Sequence, residues 1–184
     1  MTRRILVICG SRALDASPRP RRWAKREIAA ALACYVPDLQ HPHHAATGFG
    51  PDVVVHGGAR GPDTWGDELA VWLGIPRVVF SLARYEPRVR SERGDRPAAE
   101  AERYRYDSSD PLSRNAAMIR WAVDRAAEGH AVRVLALTAG WSGTGGTRHT
   151  MALARDAGLH VEHHEAPDWT WPERATSGAE GESR

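Results

Sequence analysis

Short apolar runs alternate with amphipathic stretches along most of this chain, and each run is closed by a glycine-rich or polar bend. Arg4 to Ile8, apolar from Ile5 onward, predicts a buried strand. Pro18 to Val36 follows, with Trp23, Ile28, Ala31, Leu32 and Tyr35 at roughly helical spacing. After a Pro-, His- and Gly-rich loop over 37–51, Asp52 to His56 predicts a second strand. Pro62 to Leu73 predicts a helix with Trp65, Leu69, Trp72 and Leu73 on one face, and Gly74 as its C-terminal cap. Arg77 to Leu82 predicts a third strand.

The second half repeats the alternation. Leu112 to Glu128 predicts a helix ended by Gly129, and Val132 to Thr138 a fourth strand. His149 to Ala157 predicts a fourth helix stopped by Gly158, and Leu159 to His163 a fifth strand. Strands that alternate with helices imply an α/β fold, its mostly parallel sheet covered on both faces. Between the halves, Arg84 to Pro111 breaks the pattern with many charges, several prolines and Tyr85, Tyr104 and Tyr106. Loops this long are usually functional or disordered. The segment reads as an insertion or lid over 84–111, with a short helical piece near Ala98 to Arg103. The rest reads as one domain over 1–168, and the Gly-, Ser- and Glu-rich tail 169–184 is expected to be disordered.

Composition narrows the classes. The 184 residues fit one domain, and 42% hydrophobic content supplies one core. No apolar run reaches the roughly 18 residues of a membrane span. The first apolar run is too short for a signal peptide. Cys9 and Cys34 form no Cys-x-x-Cys, which favours reduced thiols and a cytoplasmic location. Net charge is only +2, and Lys25 is the sole lysine. Arginine richness follows from a GC-rich genome as readily as from nucleic-acid binding. The histidines at His41, His43, His44, His160, His163 and His164 show no metal-binding spacing, so neither metal nor cofactor is expected.

The candidate chemistry lies at strand ends, where parallel sheets bind ligands. Gly10-Ser11-Arg12 follows the first strand and offers a close backbone, a hydroxyl and a guanidinium. His56-Gly57-Gly58-Ala59-Arg60-Gly61-Pro62-Asp63 follows the second, with three glycines in five residues and a fixed cation in Arg60. Asp63 suits a helix cap, an Arg60 partner, a ribose ligand or a base, and His56 suits a strand-end hydrogen bond or an acid–base role. The third loop carries Ser142, Gly143, Thr144, Gly145, Gly146 and Thr147 ahead of a helix, which suits phosphate held by backbone N–H groups. Trp141 within it is placed to stack on a base. Arg114 and Asn115 open the third predicted helix, where a cation opposes the macrodipole. One pocket built from these loops is expected to hold a nucleotide-like anion.

These motifs in this order resemble the SLOG superfamily, in particular its small YspA-like branch. The carrying residues are Gly10-Ser11-Arg12, His56 to Asp63, Arg114-Asn115-x-x-Met118 and Ser142 to Thr147. The resemblance spans residues 4–163 and implies a Rossmann-like three-layer sandwich that binds a nucleotide or nucleotide-derived ligand, as a sensor in some relatives. Lonely Guy phosphoribohydrolases cleave the N-glycosidic bond of nucleoside monophosphates with an Arg-Lys-x-x-Met and a Pro-Gly-Gly-x-Gly-Thr-x-x-Glu pattern. Here Asn115 replaces the lysine and Thr150 the catalytic glutamate, so such chemistry would have to fall to Asp63 or His56. DprA-like relatives bind single-stranded DNA, the third alternative. Arg84, Arg88, Arg90, Tyr104 and Tyr106 suit that use, but Glu86, Glu92, Asp95, Glu100, Glu102, Asp107 and Asp110 dilute the charge. A homo-oligomer is compatible with the sequence.

Overall fold

The structure is a computed structural model that describes residues 1–32, 50–82, 101–106, 110–140 and 145–167. Outside these lie the expected helix end over 33–36, Cys34, His41 to His44, most of the 84–111 insertion, Trp141 to Thr144 and the tail from 168.

Six strands form one sheet: β1 (Arg4–Gly10), β2 (Val53–His56), β3 (Arg77–Leu82), β4 (Ala101–Tyr106), β5 (Ala131–Ala139) and β6 (His160–Ala166). Their order is β4-β3-β2-β1-β5-β6, with every neighbouring pair parallel. The helices are α1 (Pro18–Ala31), α2 (Pro62–Leu73), α3 (Pro111–Ala127) and α4 (Gly146–Asp156), with a short 3-10 turn at Arg12–Asp15. The α/β, Rossmann-like reading is therefore correct. Among the described residues no helix is long and apolar enough to cross a membrane.

The central strands are largely apolar because helices lie on both their faces. Side chains alternate between faces along a strand. Ile5, Val7 and Cys9 of β1 join Val55, Val134 and Ala136 against Met118, Ile119 and Ala122 of α3 and Met151 and Ala154 of α4. Leu6 and Ile8 point the other way, with Val54, Leu135 and Leu137, against Trp23, Ala24 and Ile28 of α1 and Trp65 and Ala70 of α2. Both faces are covered, so polar side chains there, such as His56 and Arg77, need buried partners.

One expectation is corrected. Of the helical piece expected near Ala98 to Arg103, residues 98–100 lie outside the described residues, while 101–106 form the edge strand β4, paired with β3 from Arg77↔Ala101 to Leu82↔Tyr106. Tyr104 stacks on Phe80 with ring centroids 5.0 Å apart. An edge strand packed on one side keeps charges that a central strand would exclude.

The topology also locates the crevice. From β1 the chain steps outward through β2, β3 and β4, then crosses back to place β5 on the other side of β1. The order thus reverses between β1 and β5. The loops leaving such a reversal diverge and open a crevice at the strands' carboxyl ends.

Candidate functional site

The loops after β1 and β2 and the start of α4 meet at that crevice, and glycines permit the approach. A Cβ on Gly10 would lie 2.3 Å from Pro62 Cγ and 3.0 Å from the Leu137 carbonyl oxygen. Gly10 is thus the contact point of β1, β5 and the first turn of α2. One on Gly61 would lie 3.6 Å from the Ser11 carbonyl oxygen, and Gly61 itself has φ +100°, which favours glycine. Ser11 caps the 3-10 turn, its Oγ accepting from Ala13 N at 3.2 Å, while its own N–H donates to the Leu137 carbonyl at 2.9 Å.

Arg114 and Asn115 tie the loops together. Arg114 Nη1 donates to the Gly57 carbonyl at 2.6 Å, and Nε and Nη2 donate to Asn115 Oδ1 at 3.1 and 2.8 Å. Asn115 Nδ2 in turn donates to the Gly146 carbonyl at 3.1 Å. One side-chain pair therefore bridges the loop after β2 and the first residue of α4. Gly57 and Gly146 make room for it, since a Cβ would stand 2.8 Å from Arg114 Cζ and 3.0 Å from Asn115 Nδ2 respectively. The Thr150 hydroxyl donates to the same Gly146 carbonyl at 2.8 Å and is fully buried.

Cations and helix starts gather beside this bridge, with the Asp63 carboxylate among them. Burial lowers the pKa of the Arg114 guanidinium; Asp63 opposes that shift and the like charge of Arg12 adds to it. Arg12 is exposed. The N-terminal caps of α2 and α4, Gly61 and Gly145, make no side-chain cap hydrogen bond. Such ends carry a partial positive charge and N–H groups in want of acceptors.

Asp63 acts on its own loop. Its Oδ2 accepts the backbone N–H groups of Gly57 at 3.0 Å and Ala59 at 3.2 Å, and Thr64 Oγ1 donates to the Ala59 carbonyl at 2.9 Å. Burial raises the Asp63 pKa, against the lowering influence of His56, Arg114 and the two backbone bonds. Arg60 turns away from the bridge: its Nε donates to Asp15 Oδ2 at 2.6 Å, and Arg21 holds the other oxygen at 2.7 Å. These cations keep the Asp15 carboxyl below its ordinary pKa.

His56 has no exposure. Its Nδ1 accepts from Gly58 N at 3.1 Å, so its Nε2 carries the proton and donates to Asp67 Oδ1 at 2.9 Å. Asp67 Oδ1 also accepts from Arg77 Nη1 at 2.6 Å. Burial raises the Asp67 pKa, but His56 and Arg77 together outweigh it and hold the carboxyl below its usual range. Both His56 nitrogens are thus engaged inside the fold. Cys9 is buried, and burial with the nearby Asp63 charge pushes its thiol far up, so it stays protonated.

Gly10, Ser11, Arg12, Gly57, Gly58, Asp63, Arg114, Asn115, Gly145, Gly146 and Thr147 all lie on the loops or helix ends at this crevice, while Ser142, Gly143 and Thr144 lie outside the described residues. Asp67 and Arg77 were not among the residues singled out from sequence. Asp67 falls at i+4 from Asp63 and i−3 from Ala70, on the buried stripe of α2. A carboxylate on an apolar stripe signals a buried partner.

No family model matches the sequence, and no curated protein matches it. Among solved structures it is similar to DNA processing protein A (DprA) from Streptococcus pneumoniae, at 15% identity and a TM-score of 0.34. The match covers 85% of this chain but 57% of that one, less than two thirds of its length. At that TM-score the likeness says nothing of what this chain does.

Proposed function

We propose that the protein binds a nucleotide or nucleotide-derived ligand through its phosphate, at the carboxyl ends of β1, β2 and β5. The observation that carries this reading is the Arg114–Asn115 bridge between Gly57 and Gly146, set between the starts of α2 and α4. Three of the five N–H groups of Arg114 serve protein acceptors, so its task is to hold the two loops and lend charge. The exposed Arg12 and the first N–H groups of α4 then take the phosphate oxygens. Arg60, engaged by Asp15, would take part only by leaving that pair.

Hydrolysis draws no support here. Thr150 stands where the catalytic carboxylate would, and its hydroxyl is committed to Gly146. The test is titration calorimetry with AMP, ADP-ribose and adenosine. The phosphorylated ligands bind and adenosine does not, and Arg12→Ala weakens AMP by about tenfold, the worth of one charge-assisted hydrogen bond. Equal binding of adenosine and AMP would remove the phosphate from the reading. Chromatography of the AMP mixtures shows no free base; release of adenine that Asp63→Ala abolishes would make the protein a nucleotide N-glycosidase instead.

A further inference from the structure

A hydrogen-bond chain runs under α2, on the face of the sheet away from the Arg114 bridge. Arg77 Nη1 donates to Asp67 Oδ1, His56 Nε2 donates to the same oxygen, and His56 Nδ1 accepts from Gly58 N. The three side chains are 5%, 2% and 0% exposed, in the order Arg77, Asp67, His56. Burying a cation, an anion and an imidazole under a helix is costly, and apolar side chains of similar size would pack there without that cost. The chain also ends on something specific. Gly58 lies between Gly57, whose carbonyl takes Arg114, and Ala59, whose N–H is held by Asp63. Its φ of +66° is open to glycine and leaves several other conformations equally open, so a bond to its N–H helps to select this one.

We infer that His56 is a positioning residue for the anion loop, its tautomer fixed by Asp67 and Arg77 so that Nδ1 stays an acceptor for Gly58 N–H. This rests on the ligand reading above. Without Asp67 the proton is free to sit on either nitrogen; on Nδ1 it would face the Gly58 N–H, donor against donor, and the loop would shift. A second proton on the ring does the same. Among the described residues, the charged groups tied to the ring are Asp63 and Asp67 from α2, Arg77 from β3 through Asp67 and, behind Asp63, Arg114 from α3, while Ile8 of β1 is the register partner of His56.

Two substitutions separate the ring's two bonds. Asn carries its oxygen where Nδ1 was, so His56→Asn keeps an acceptor for Gly58 and loses the link to Asp67. Gln carries its amide nitrogen near Nε2, so His56→Gln keeps that link and loses the acceptor. The expected result is AMP affinity within about threefold of the parent for His56→Asn and a loss of about tenfold for His56→Gln, one hydrogen bond's worth. Equal losses in both variants, or none in either, overturn the inference. Nitrogen-15 spectra of the unmodified protein provide a check that needs no variant to fold and no ligand. They should show the Nε2–H tautomer at neutral pH and a coupling across the hydrogen bond from the Gly58 amide to Nδ1. An Nδ1–H tautomer, or no such coupling, overturns it as well. If AMP fails to bind the parent protein, the ligand reading falls while the spectra still decide whether His56 holds the loop.

Discussion

A methyl group on Gly57 would meet Arg114 Cζ at 2.8 Å, whereas one on Gly10 would meet the Pro62 ring at 2.3 Å and the Leu137 carbonyl at 3.0 Å. The two clashes differ in kind. Arg114 Cζ is the far end of a flexible side chain and can swing aside, giving up its bonds to Gly57 and Asn115. Pro62 is fixed in the first turn of α2, and the Leu137 carbonyl is part of the sheet. Gly10→Ala should therefore cost more stability than Gly57→Ala, in the overpacking range of about 1–3 kcal/mol. Gly57→Ala should instead lose AMP binding disproportionately, because the loop bridge opens. Urea denaturation of both variants beside calorimetry decides it; a Gly57→Ala protein that binds AMP like the parent would show the bridge to be dispensable. Asp63 belongs to the same scale. Its Oδ2 accepts two backbone N–H groups, so Asp63→Ala leaves the buried Gly57 donor unmet, at about 1–3 kcal/mol, and the half-buried Ala59 donor unmet at less.

At the scale of elements, α1 and β6 are joined by one imidazole. His164 Nδ1 lies 2.6 Å from Glu27 Oε2, and its Nε2 lies 3.0 Å from Glu162 Oε1. The hydrogen bond to Glu27, against the opposing effect of burial, raises the His164 pKa above its ordinary 6.5. A raised histidine means that the folded state holds the proton more tightly than the unfolded one. The pairing is therefore fully present below pH 6.5 and is lost as pH rises through the folded value. Thermal melts at pH 6 and pH 9 should show the parent losing stability that His164→Gln does not lose. The difference should be about 1–3 °C, since a partly exposed pair contributes no more than about 1 kcal/mol. Identical pH profiles would leave this pair without a share in stability. Legibility from sequence varied element by element for physical reasons. Helix α2 begins at Pro62 and ends at Gly74 with φ +70°, local signals that need no tertiary contact. Strand β4 reads Ala-Glu-Arg-Tyr-Arg-Tyr, with no apolar run, and its place follows from pairing with β3, which no local pattern announces. Helix α4 starts at Gly146 rather than His149, and the Gly146 carbonyl is held from outside the helix by Asn115, a contact no local pattern announces. The site divides in the same way. Its loops stand at strand ends and are legible as loops. Gly57 as partner of Arg114 and Asp67 as partner of His56 lie 57 and 11 residues away, so those two bonds belong to the fold.

For the whole molecule, charge decides between ligands of one phosphate and polymers of many. The chain carries a net charge of +2, and Arg60, Arg21 and Arg77 at or near the loops are already paired with Asp15 or Asp67. Among the described residues, the crevice offers an anion Arg12, the partly committed Arg114 and two helix starts, which suits one phosphate group better than a track along a strand. A ligand that binds only the folded state adds RT ln(1 + [L]/Kd), about 2.7 kcal/mol at a hundredfold excess over Kd. For a protein of this size that is a rise in Tm of several degrees. AMP at that excess should produce it and adenosine should not. The salt dependence carries the rest of the argument. A protein that follows a nucleic-acid backbone through 6–10 phosphate contacts loses about 10³–10⁵ in affinity between 50 and 200 mM salt. A crevice that takes one phosphate releases few counterions, so AMP affinity should fall by less than about tenfold over the same range. Calorimetry across that salt series, with AMP and with a single-stranded oligonucleotide, measures both slopes. A steep slope for the oligonucleotide together with tight binding at low salt would move the function from a nucleotide site to a nucleic-acid surface.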